Sequence, residues 1–225
     1  MFTSNDEMKP SIPFTVLLFI YTPGSIVMLV LAFVYDWSST VVHLSYWSFL
    51  FDALFFLLLC RTNWKRLFAP PKQQQQQQHV PYSRLETTLW MFDTHLSIFI
   101  VIVAVMIALV SHPTQPIVDE SDSNPPSTWG YQVFLHGANL LALLLVKLFE
   151  PTATRSPLRP LQSSLLVLLV LFFYALVLYL AGSNILLIYN IDDSANSAMA
   201  LSMTGIGAFF GSSVIVETQW SNNDD

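Results

Sequence analysis

The chain reads as an all-α polytopic membrane protein, a bundle of six transmembrane helices. Three observations predict this. Only 11% of its 225 residues are charged, against 53% hydrophobic, and a soluble domain carries about 25% charged residues. Six apolar runs recur along the chain, each near the ~20 residues an α-helix needs to cross a bilayer. All nine Lys and Arg fall on one side of a six-pass arrangement.

The elements follow in order. Residues 1–13 form an N-terminal tail containing TSNDE and Lys9. The first run, 14–34, follows this acidic start and lacks a small-residue cleavage site, so it reads as a retained span. Its Pro23-Gly24 pair predicts a kink near the centre, with a cavity beside it. The second run, 41–60, contains Asp52 and ends at Cys60, the single cysteine. One cysteine excludes an intrachain disulfide and any cysteine-based zinc site. Residues 61–87 read as a flexible cytosolic loop around PPKQQQQQQHVP, a low-complexity stretch. The third and fifth runs, 89–110 and 163–182, are the plainest spans: LWMFDTHLSIFIVIVAVMIALV and SSLLVLLVLFFYALVLYLAG. The fourth, 131–149, ends beside Lys147, placed as a snorkelling anchor. The sixth, 197–216, is rich in small residues. Gly207 and Gly211, with Ser202, Gly205 and Ser212, leave a thin face suited to close packing in the bundle or to a second copy of the chain. Residues 218–225 form an acidic C-terminal tail, and the acidic PIVDESDSNPPST loop reads as solvated.

Charge sets the orientation. Lys9 precedes the first span. Arg61, Lys65, Arg66, Lys72 and Arg84 lie between the second and third. Lys147, Arg155 and Arg159 lie at or after the end of the fourth. The connections near 35–40, 111–129 and 183–196 hold no cation. Cations mark the cytosolic side, so both termini are expected in the cytosol, with the chain integral to the endoplasmic reticulum or plasma membrane. Trp37, Trp64, Trp90 and Trp129 lie near run ends, as an interfacial aromatic belt would place them. The net charge of -6 offers no basic face to neutralise phosphates. Nucleic acid is therefore excluded as a partner, membrane lipids are expected, and no motif implies a cofactor or a metal.

An ionisable residue inside a bilayer is costly and is a site candidate by default. Asp52, Asp93, His95 and His136 qualify, with His43 at the margin. Counting at ~1.5 Å of rise per residue puts His43, Ser45, His136 and Asn139 in the outer half, Asp52 near the middle, and Asp93 and His95 in the inner third. The last two are expected to snorkel or to meet Arg84. Ser45, Phe49 and Asp52 share one helix face; His136, Asn139 and Leu143 share another. If these faces meet, they enclose a polar pocket. Ser45 would attack, His136 act as base and Asn139 donate to an oxyanion; or the same groups would form an interhelical hydrogen-bond network that pins the bundle.

A second span opening HLSYWSFLFDALFF and a fourth opening WGYQVFLHGANLLALLLVKL resemble the androgen-induced and rolling-stone-like family of six-span membrane proteins. An HG motif on the fourth span is typical there, and the fifth-span exit LYLAGSNILLIYNIDD is similar, with Asn190 in place of a proline. The resemblance covers roughly residues 14–217. The androgen-induced branch contains intramembrane hydrolases of fatty-acid esters of hydroxy fatty acids, with a threonine nucleophile and a histidine base. Ser45 matches the threonine, but Asn139 stands at the histidine position, and an amide cannot take a proton. The HG-x-N form looks closer to the rolling-stone-like branch, which is associated with myoblast fusion. The resemblance thus implies two readings: a non-enzymatic rolling-stone-like protein held together by His136 and Asn139, or a serine-type lipid ester hydrolase.

Overall fold

In the computed structural model, the described residues are 12–68, 82–111, 129–154, 159–183 and 195–221. Among them the chain is all-helical. It comprises α1 (Ile12–Val42), α2 (Leu44–Phe68), α3 (Arg84–Ser111), α4 (Trp129–Phe149), a 3₁₀ turn at Pro151–Thr154, α5 (Pro160–Leu180) and α6 (Ala195–Ser221). Each expected run therefore lies within a helix or extends past it by no more than a turn. Five helices are long and apolar enough to cross a membrane; α4 contributes the shorter apolar segment Gly137–Phe149.

α3 is the hub. It packs against α2, α4, α5 and α6, and every residue from Leu89 to Ile100 is buried. Over that stretch α3 keeps no lipid-facing stripe, so a polar residue there points at protein. The outer helices instead expose large apolar side chains. Ile20 and Val34 on α1, Phe172 on α5, and Met203 and Phe210 on α6 are all well exposed. Apolar surface on this scale is foreign to a soluble monomer and is what a lipid-facing wall requires.

Local chemistry sets several helix ends. Ser83 and Glu86 form a reciprocal cap on α3: the Glu86 amide donates to Ser83 Oγ at 3.2 Å and the Ser83 amide to Glu86 Oε2 at 2.5 Å. Such a pair satisfies two otherwise orphaned amides. Thr62 Oγ1, on α2, donates to Glu86 Oε1 at 2.5 Å, tying the two helix ends together. The expected flexible loop 61–87 is thus corrected at both ends. α2 runs on to Phe68 and α3 starts at Arg84, because hydrogen bonds across the two ends hold their polar turns helical; residues 69–81 lie outside the described residues. α5 starts with Pro160 at its first position, where a missing amide costs nothing. It ends with Gly182 at φ 63°. The Gly182 amide donates to the Tyr179 carbonyl and the Ser183 amide to the Leu178 carbonyl, a pairing that caps helices through a left-handed residue.

Two further expectations change. Trp90 does not present its ring outward as a belt residue would: it is buried, and its indole N–H donates to the Leu143 carbonyl on α4 at 3.2 Å. A buried indole seeks such a partner, and a neighbouring helix supplies it. Trp64, by contrast, is exposed. The thin face of α6 divides. A Cβ at Gly211 would meet Ile102 of α3 at 3.8 Å, whereas at Gly205 and Gly207 it would meet nothing within 4 Å.

Candidate functional site

Four helices bring one buried polar cluster together. α1 supplies Tyr21, whose ring lies 4.6 Å from that of Phe56, centroid to centroid. Its phenol donates to Asn139 Oδ1 on α4 at 2.8 Å and lies 3.1 Å from Asp52 Oδ2 on α2. Asn139 Nδ2 donates in turn to Ser48 Oγ at 3.4 Å. Ser48 Oγ is 3.1 Å from Ser97 Oγ and 3.5 Å from Asp93 Oδ1, both on α3. The remaining carboxyl oxygens, Asp52 Oδ1 and Asp93 Oδ2, have no hydrogen-bond partner among the described residues. Both carboxyls are 0% exposed, with Ser48, Ser97 and Asn139 at 3% or less.

Helix spacing explains half of this arrangement. Ser48 and Asp52 stand four apart on α2, and Asp93 and Ser97 four apart on α3, so each hydroxyl lies on the face of its carboxyl. The other half is helix rotation, which turns these two faces onto each other and onto Asn139.

A second cluster lies on another side of α3. His95 Nδ1 is 3.1 Å from Ser163 Oγ on α5, and Nε2 is 3.1 Å from Ser212 Oγ on α6. Ser213 Oγ stands 3.4 Å from the same Nε2 and 3.1 Å from Ser164 Oγ on α5. The ring stacks on Phe209 at 6.2 Å. His95, Ser163 and Ser212 are all 0% exposed. Both imidazole nitrogens are therefore engaged, which is how a buried histidine avoids an unpaired polar atom.

The residues singled out from the sequence fall as follows. Asp52 and Asn139 meet in the first cluster through Tyr21. Ser45 is half-buried. Asn139 reaches Ser48, three residues and about 4.5 Å further along α2, not Ser45. The backbone of His136 belongs to α4, but its side chain lies outside the described residues. His43 marks the break between α1 and α2; its carbonyl accepts from the Tyr46 amide at 3.1 Å, and its ring packs edge-on against Tyr46. Asp93 and His95 correct the expectation of snorkelling. Both are fully enclosed, since α3 is buried all round between Leu89 and Ile100. Ser48, one turn before Asp52, lies 3.5 Å from Asp93 Oδ1, so Asp93 stands level with the Ser48–Asp52 turn and is not shifted inward relative to it.

Tyr21, Ser48, Ser97 and Ser163 are absent from the sequence-based expectations, and Ser212 enters them only as part of the thin face of α6. The four-residue spacing of Ser48 to Asp52 and Asp93 to Ser97 was a readable signal. Tyr21 offered none beyond its place two residues before Pro23. Among the described residues no three His, Cys, Asp or Glu side chains converge to hold a metal ion. No protein-family model, curated protein or solved structure matches the chain.

Proposed function

We propose that the chain is a non-enzymatic multi-pass membrane protein of the rolling-stone-like kind, with both termini in the cytosol. Its interior polar side chains hold the helices in a defined rotation. The observation that carries this reading is the engagement of Asn139. Its amide oxygen accepts from Tyr21 and its nitrogen donates to Ser48, so both ends of the side chain are used between helices. An oxyanion donor to a Ser45-derived intermediate would need that nitrogen aimed at Ser45. Individual interhelical hydrogen bonds in membranes average about 0.6 kcal/mol and reach about 1.7. Several of them, spread over four helices, suffice to select one packing among near-equal alternatives.

The test is labelling of the purified protein in lipid nanodiscs with a fluorophosphonate probe. No labelling is expected for wild type or for Ser45→Ala. Labelling of wild type that vanishes in Ser45→Ala would overturn the reading in favour of a lipid ester hydrolase.

A further inference from the structure

We propose that the junction of α2 and α3 is a binding site for the headgroup of an anionic phospholipid whose acyl chains lie along α2. This goes beyond the structural role proposed above; it rests on the membrane placement of the bundle and not on the absence of catalysis.

One face of α2 carries the argument. Leu50, Leu54 and Leu57 are exposed, and Arg61 and Trp64 continue the same row. Steps of four and three residues keep these side chains on one side of a helix. The three leucines give a lipid chain a continuous apolar strip, and then the chemistry of the row changes within one turn. Arg61 is exposed. Trp64 is exposed as well, with its ring edge-on to Phe19 of α1. Tryptophan of this kind sits at the headgroup level of a bilayer, so Arg61 stands where lipid phosphates lie.

α3 brings a second guanidinium to that level. Its apolar span begins at Arg84, as that of α2 ends at Trp64, and Arg84 is exposed. The two helix ends are fastened together. Thr62, next to Arg61, donates to Glu86, and Glu86 also accepts from the amide of Ser83, next to Arg84. Glu86, 2% exposed, thus uses both carboxylate oxygens on the junction and holds the backbones of the two arginines side by side. A guanidinium matches phosphate and carboxylate through a planar fork of donors. A phosphatidylserine headgroup offers both groups, together with a net negative charge that phosphatidylcholine lacks. The distribution of Lys and Arg puts this end of the bundle on the cytosolic side, where the leaflet is rich in anionic lipid.

The test is native mass spectrometry of the purified protein after exposure to equal amounts of phosphatidylserine and phosphatidylcholine. Preferential retention of phosphatidylserine is expected, weakening as ionic strength is raised. One basic residue near an anionic surface is worth about a fivefold preference. Arg61→Gln/Arg84→Gln should therefore lower the ratio of retained phosphatidylserine to phosphatidylcholine by at least about fivefold, with helical content and melting temperature unchanged. Equal retention of the two lipids by the wild type overturns the proposal; that result would follow if the acidic tails of the chain covered the two guanidiniums. An unchanged ratio in the double variant overturns it too. If the double variant does not fold, Arg61→Gln and Arg84→Gln are measured singly, and a ratio unchanged in both is equally decisive against the site.

Discussion

Tyr21 on α1 and Asn139 on α4, 118 positions apart, are joined by a 2.8 Å hydrogen bond from phenol to amide oxygen. Through this contact the first helix, with its internal proline, is fastened to the helix bearing the HGAN motif. The phenol also stands over Asp52, so one oxygen links three helices.

Tyr21→Phe should therefore be destabilising although it keeps the ring and its packing on Phe56. The change leaves Asn139 Oδ1 and Asp52 Oδ2 without their donor. An unsatisfied buried acceptor costs about 1–3 kcal/mol. Unfolding in detergent–lipid micelles should show a loss in this range, and a neutral result would mean that the phenol is not part of the network.

Ser45 and Ser48 should behave differently when truncated. Ser48→Ala removes a hydroxyl that touches Asn139, Ser97 and Asp93, and about 1 kcal/mol of stability should go with it. Ser45→Ala, at a half-buried position, should stay within about 0.5 kcal/mol of wild type. Thermal melts of the two variants side by side give the comparison; equal losses would contradict the geometry.

His95 and Ser212 should be energetically coupled. A double-mutant cycle with His95→Ala and Ser212→Ala should return an interaction of about 0.6 kcal/mol, with about 1.7 as the upper bound seen for such pairs in membranes. Ser163→Ala with His95→Ala should give a similar figure, because each serine holds one ring nitrogen. Strict additivity in both cycles would show that the imidazole is not anchored by these hydroxyls.

The two glycines on α6 should separate in a leucine scan. Gly211→Leu puts a side chain against Ile102 of α3, 3.8 Å from the added Cβ, and overpacking of this kind costs about 1–3 kcal/mol. Gly207→Leu should fold normally, since nothing lies within 4 Å of its Cβ position. If Gly207 instead lies in a contact between two copies, Gly207→Leu should abolish chemical crosslinking while leaving the monomer folded. Folding yield and crosslinking, measured on the same samples, distinguish these outcomes.

Much of the first cluster lay in plain view in the sequence, yet its connections did not. Asp52, Asp93, His95 and Asn139 stand out because each is polar within an apolar run. Counting along the third span places Asp93 and His95 in its inner third, free to snorkel, whereas the structure encloses both between helices. Counting gives height along a helix. It gives neither the rotation of that helix nor its neighbours, and α3 lies at the centre rather than at the lipid boundary. The capping pair at Ser83 and Glu86 was legible as a serine followed three residues later by glutamate.

By itself the sequence determined that this chain is helical and apolar enough to live in a bilayer, and nearly where each helix runs. That follows because partition into lipid depends on the summed hydrophobicity of a local stretch, which can be read one residue after another. Tertiary structure alone decided that Ser48 reaches Asp93, that Tyr21 reaches Asn139 and that His95 turns the other way into a ring of serines. Helices apolar around most of their circumference carry almost no periodic signal of which side faces inward. Their rotation is chosen by close packing and by the few hydrogen bonds that only a finished bundle can make.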